Sequence, residues 1–134
     1  MSDLAPHAAS EAVERVLIIP HCWDCGEGVQ MLLSAAGYQA EVVRGGDAAV
    51  RRALEVRPQA VLVDLDLTLT GDDGRAVGWR LRAALGSRVQ LIALRGAGWK
   101  GDLPEWREAG FDGWLPKPVS AEQLLQLFPR LQGA

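Results

Sequence analysis

Three short apolar runs constrain this chain most. They are Val16-Leu17-Ile18-Ile19, which stops at Pro20; Ala60-Val61-Leu62-Val63, which stops at Asp64; and Val89-Gln90-Leu91-Ile92-Ala93-Leu94. Runs of this length without a polar face read as strands buried on both sides, as in a parallel sheet. Weaker strand patterns lie at Gln39–Val43 and Gly113–Leu115. Between the strands, apolar residues recur at helical spacing. Val29, Leu32, Leu33 and Ala36 share one face until Gly37 stops the helix. Val50, Ala53 and Leu54 repeat the pattern until Pro58, and Val77, Leu81, Ala84 and Leu85 until Gly86. Asp102 and Glu105 form a capping box for a short helix ending near Gly110. Ser120 and Gln123 form another, before a last stripe of Ala121, Leu124, Leu125 and Phe128 that Pro129 ends.

Strand and helix thus alternate five times. Such alternation implies right-handed crossovers and a sheet covered on both faces. The expected fold is α/β: a flavodoxin-like, doubly wound three-layer sandwich with a five-stranded parallel sheet in the order 2-1-3-4-5 and five helices. Function in such folds sits at the carboxyl ends of the strands. Here those ends are Pro20-His21, Asp64, Arg95 and Pro116-Lys117.

Bulk properties narrow the classes. A chain of 134 residues suits one domain. The net charge of −3 gives no electrostatic footprint for nucleic acid. No apolar stretch approaches the roughly 20 residues needed to span a bilayer, so no membrane partner is expected. Residues 1–14 are small and acidic, without the basic start and apolar middle of an export signal. They read as a mobile tail before a cytoplasmic domain over residues 15–134. With no output domain evident, the function is expected to lie in meeting a partner.

The strand ends resemble those of a response-regulator receiver domain, and the match runs from about Arg15 to about Leu131. Arg15-Val16-Leu17-Ile18-Ile19 is similar to the first strand of the family. Pro58 through Asp64 is similar to the third strand with its phosphoacceptor aspartate. Asp73-Gly74 is similar to the start of the third helix. The most specific segment is Ala109-Gly110-Phe111-Asp112-Gly113-Trp114-Leu115-Pro116-Lys117-Pro118, which resembles the fifth strand with its lysine and cis-proline.

The resemblance implies a phosphorylatable Asp64 and a phosphate-pairing Lys117, in a pocket where the family binds magnesium through an additional acidic pair. Other positions depart from the pattern. Pro20 and His21 stand where the acidic pair belongs, and neither is a good ligand for a hard cation. Arg95 stands at the hydroxyl switch position and brings a permanent charge. Trp114 holds the aromatic switch position. The loop from Asp64 to Asp73 is longer than usual, with Thr68 where a proline is common. The family pocket has several carboxylates and one lysine. Here Asp64 faces Lys117 and, by expectation, Arg95, so the site is neutral or positive without metal. The expectation is therefore no resident cofactor, weak magnesium affinity and Arg95 as a fixed partner of Asp64, braced by Trp114 through cation–π stacking. The implied partners are a histidine kinase, a phosphotransfer protein or another regulator, and the implied role is signalling rather than catalysis.

Two further constellations compete. Asp64-Leu65-Asp66-Leu67-Thr68 also resembles the nucleophile motif of haloacid-dehalogenase-like phosphatases, although two strand–helix units precede it here. Asp66 could alternatively rebuild a metal site with Asp72 or Asp73. His21-Cys22-Trp23-Asp24-Cys25 places a Cys-x-x-Cys at a helix start, the arrangement of a thiol redox pair, on the rim of the Asp64 pocket. With His21 it offers three zinc-type ligands but no evident fourth. Among the five tryptophans, Trp99 and Trp106 are expected near the fourth-helix to fifth-helix face, which would serve a homodimer or partner.

Overall fold

The computed structural model describes residues 15–20, 23–65, 74–96, 107–117 and 119–127. Five strands form one sheet: β1 (Arg15–Ile19), β2 (Gln39–Val42), β3 (Ala60–Asp64), β4 (Gln90–Arg95) and β5 (Gly113–Pro116). Their order is β2-β1-β3-β4-β5 and every pairing is parallel, as expected for a flavodoxin-like sheet. Helices α1 (Trp23–Ala35), α2 (Gly46–Val56) and α3 (Gly74–Leu85), a 3-10 turn (Gly86–Arg88) and a last helix (Ala121–Leu127) complete the described elements. Between β4 and β5, residues 107 and 108 are helical, while Asp102 and Glu105 lie outside the described residues. So do Phe128 and Pro129.

Alternation along each strand divides the core in two. Leu17, Ile19, Val61, Val63, Leu91 and Ala93 face α2 and α3, where Ala49, Ala53, Val77 and Leu81 meet them. Val16, Ile18, Leu62, Ile92, Leu94 and Leu115 face α1 and the last helix, where Val29, Leu33 and Leu124 meet them. The buried strands carry no alternating polar face because helices cover both sides.

Leu54 departs from its expected place on the buried stripe of α2. It is 42% exposed, and the buried positions are Gly46, Ala49 and Ala53. Small side chains bring this helix close to the sheet, and Leu54 lies one step beyond that contact. The cap before the last helix forms as expected, with the Ser120 hydroxyl accepting the backbone N–H of Gln123 at 3.1 Å. Gly37 ends α1 at φ 99°, a conformation that a side chain disfavours.

Candidate functional site

The carboxyl ends of β3, β4 and β5 bring three expected residues to one edge. Asp64 is the last residue of β3, Arg95 the last of β4, and Lys117 directly follows β5. Main-chain bonds fix their separation: Leu65 N–H donates to Leu94 O at 2.9 Å, and Lys117 N–H donates to Arg95 O at 2.9 Å.

The Asp64 side chain is only 2% exposed and that of Lys117 19%. Lys117 Nζ lies 3.0 Å from Oδ1 and 2.9 Å from Oδ2, so one ammonium spans both carboxylate oxygens. A charge-assisted contact of this kind is what allows a carboxylate to remain in a nearly dry position.

Arg95 is arranged differently. Its guanidinium carbon lies 3.7 Å from the centroid of the Trp114 ring, a cation–π stack at the rim. Strand parity accounts for the division of the two cations. Ala93 pairs with Trp114, and Asp64 pairs with Leu94. Side chains two residues apart share a face, so Arg95 follows Ala93 and Trp114 toward the α2–α3 side. Asp64 and Lys117 follow Leu62 and Leu115 toward the α1 side. Lys117 contacts the Asp64 carboxylate from that side, and Trp114 stacks on the Arg95 guanidinium from the other.

Pro20, at the end of β1, is buried. The first turn of α1 packs on it so closely that a Cβ on Gly26 would lie 2.8 Å from Pro20 Cγ. On the other flank, a Cβ on Gly74 would lie 2.9 Å from Leu65 Cα and 3.0 Å from the Asp64 carbonyl oxygen. Only glycine lets α3 begin this close to the end of β3.

Magnesium, which the receiver resemblance implies, does not fit the described donors. They offer one carboxylate, already spanned by an ammonium, and a proline at the end of β1. No cluster of three or more His, Cys, Asp or Glu suited to a metal ion occurs among the described residues. Asp66, Thr68, Asp72, Asp73, His21, Cys22, Trp99, Trp106 and Pro118 lie outside the described residues, as does the side chain of Cys25. Away from the site, the Arg52 pKa is raised, chiefly by its hydrogen bond to Glu41 and then by that to Glu55.

Sequence reasoning did not single out Arg82 and Asp112. Arg82 donates to the carbonyl oxygens of Gly86, Val89 and Gly110 and to Asp112 Oδ2 at 2.6 Å. The same Asp112 oxygen accepts the N–H of Leu91 at 2.9 Å. The partners lie up to 30 residues apart in the chain, so no local pattern signals the network.

No family model matches the chain. It is 31% identical over 140 aligned positions to the sensor protein GacS of Pseudomonas syringae pv. syringae, covering 98% of this chain and 15% of that protein. It is 30% identical over 111 positions to the response regulator MprA of Mycolicibacterium vanbaalenii, covering 83% of this chain and 47% of that protein. The chain therefore spans less than half the length of either relative. Among solved structures, the receiver domain of the sensor histidine kinase PA1611 from Pseudomonas aeruginosa PAO1 superposes with a TM-score of 0.76 at 29% identity. That match covers 92% of this chain and all of the other, which holds magnesium in its active-site cleft. With its sheet order and strand-end aspartate and lysine, the chain is a response-regulator receiver domain. It belongs to the machinery of two-component signalling.

Proposed function

We propose that this domain is an atypical receiver that works through protein–protein contact, with Asp64 as the phosphoacceptor position and magnesium-dependent phosphorylation weak or absent. The observation that carries this reading is the Lys117 ammonium spanning both oxygens of Asp64 beside a buried Pro20. In phosphoryl transfer to Asp64, a carboxylate oxygen would form the new P–O bond while the donor's bond to phosphorus breaks, its electron pair leaving with the donor. Lys117 can neutralise part of the phosphoryl charge. The oxygen ligands that would hold a divalent cation are missing from the described residues. Histidine kinases, phosphotransfer proteins and other regulators are the partners this reading favours. Its support is the likeness to GacS, MprA and the PA1611 receiver.

Arg95 supplies the second departure. A hydroxyl switch works because phosphate gains contacts in one state that are absent in the other. A guanidinium stacked on Trp114 before any phosphate arrives has already found a partner, which lessens that difference. The test is incubation with acetyl phosphate and magnesium, read by intact mass and by self-association. Little stable phosphoprotein and an unchanged oligomeric state are expected. Ready phosphorylation at Asp64 with a change of oligomer would make this an ordinary switch.

A further inference from the structure

We propose that the free edge of β2 takes up an extended segment of a partner protein as an added strand, and that the Gln30 side chain closes this edge until the segment arrives. Main-chain direction singles the edge out. Val43 N–H donates to Ile18 O at 2.9 Å, and Ile18 pairs with Val42 in the parallel register. Main-chain groups of successive strand residues point to opposite edges. Those of Glu41 and Val43 therefore face β1, and those of Ala40 and Val42 face outward. Among the described residues, one bond meets the outward groups: Gln30 Nε2 donates to Ala40 O at 2.9 Å. Ala40 N–H and both main-chain groups of Val42 have no protein partner among the described residues.

The two edges of the sheet are closed in different ways. At β5, Lys117 N–H donates inward to Arg95 O, which turns the main chain of Pro116 outward. Proline has no N–H to offer an added strand, so that closure is permanent. β2 carries no proline. Its closure is a half-buried side chain on α1, which a change of rotamer removes. An incoming N–H replaces the Gln30 bond to Ala40 O with one of the same kind, so the exchange costs little.

An extended backbone is the occupant that matches these groups: main-chain bonds hold such a segment, and its alternate side chains enter the pockets beside the edge. A groove of about 560 Å³ runs there, lined by Val42, Val43, Ala48, Arg51, Arg52 and Glu55 among others. Arg52 is fixed to Glu41 at 2.8 Å and to Glu55 at 3.0 Å, so these charges are answered within the protein and one wall keeps its shape. Val43 and Ala48 give the groove an apolar part, which suits an aliphatic side chain. A second copy fits less well, because its β2 would bring a second α2 and a second Arg52–Glu41 pair onto the same groove. β1 separates β2 from β3, so the test of this edge stands apart from the phosphorylation reading.

The probe is a short capped peptide alternating threonine and valine, N-methylated on every threonine. It keeps one edge able to pair and cannot stack into sheets of its own. The same peptide N-methylated on every residue is the comparator. Amide signals and hydrogen exchange of the labelled domain are followed by NMR. The probe is expected to shift the Ala40 and Val42 amides and slow their exchange, with much smaller changes at Glu41 and Val43, which already face β1. The comparator should leave all four unchanged. Q30A should bind the probe about threefold tighter or more, and its dispersed amide spectrum confirms that it folds. Four outcomes overturn the proposal: no change at Ala40 and Val42, equal binding of the comparator, no gain in Q30A, or protection of Ala40 and Val42 that rises with protein concentration alone and so assigns the edge to a second copy.

Discussion

Lys117 places its ammonium within hydrogen-bonding distance of both oxygens of Asp64 at the end of β3. Removing the cation leaves a negative charge in a nearly inaccessible place. Lys117→Met should therefore cost about 3–5 kcal/mol, the range for breaking one side of a buried pair. Urea denaturation measures it. Adding Asp64→Asn should recover much of the loss, because the stranded charge is gone. Equal stability of Lys117→Met and the parent would mean that the ammonium is not what holds Asp64 in place.

Magnesium titration tests the strand end next to it. Tryptophan fluorescence and calorimetry should show no submillimolar binding at Asp64. The combined change Pro20→Asp, His21→Asp and Arg95→Thr should bring affinity up and make phosphodonors effective. Submillimolar binding in the parent would show that another acid has supplied the missing ligands.

The Arg95–Trp114 stack should be worth about 0.5–1 kcal/mol, the range for an accessible cation–π pair. A double-mutant cycle with Arg95→Ala and Trp114→Ala reads this coupling directly. Additive effects of the two changes would mean that the rings and the guanidinium lie together without attraction.

Packing of α3 gives a prediction remote from the site. A Cβ on Gly78 would lie 2.5 Å from Phe111 Cζ, inside any allowed contact. Gly78→Ala should destabilise by about 1–3 kcal/mol, as overpacked cores do, and lower the midpoint of thermal unfolding. A variant as stable as the parent would require Phe111 to have room to withdraw.

The order of the sheet was legible because its central strands are short with apolar interiors, and because helical patterns separate them. The convergence of Asp64 and Lys117 was legible for the same reason: both end strands of a parallel sheet, whose carboxyl ends share one edge. The stack of Arg95 on Trp114 follows from the register of β4 on β5, in which Trp114 pairs with Ala93. Sequence alone supplied the residue types, and with them the expected stack, but not the register that sets it. Leu54 misled because a leucine at helical spacing looks buried, while the close approach of α2 is set by Ala49 and Ala53. The Arg82 network was hidden because its acceptors are mostly main-chain carbonyls, which any residue provides.

Arg82 has a consequence for the order in which the domain can finish folding. During synthesis, α3 and the first four strands emerge before Gly110 and Asp112 do. Until then Arg82 can reach the carbonyls of Gly86 and Val89, but two of its acceptors do not yet exist. The N–H of Leu91 likewise lacks the Asp112 carboxylate that receives it in the finished fold. The guanidinium therefore acts as a late latch: it closes fully only when the segment carrying β5 has come back to the sheet, and that same return delivers Lys117 to Asp64.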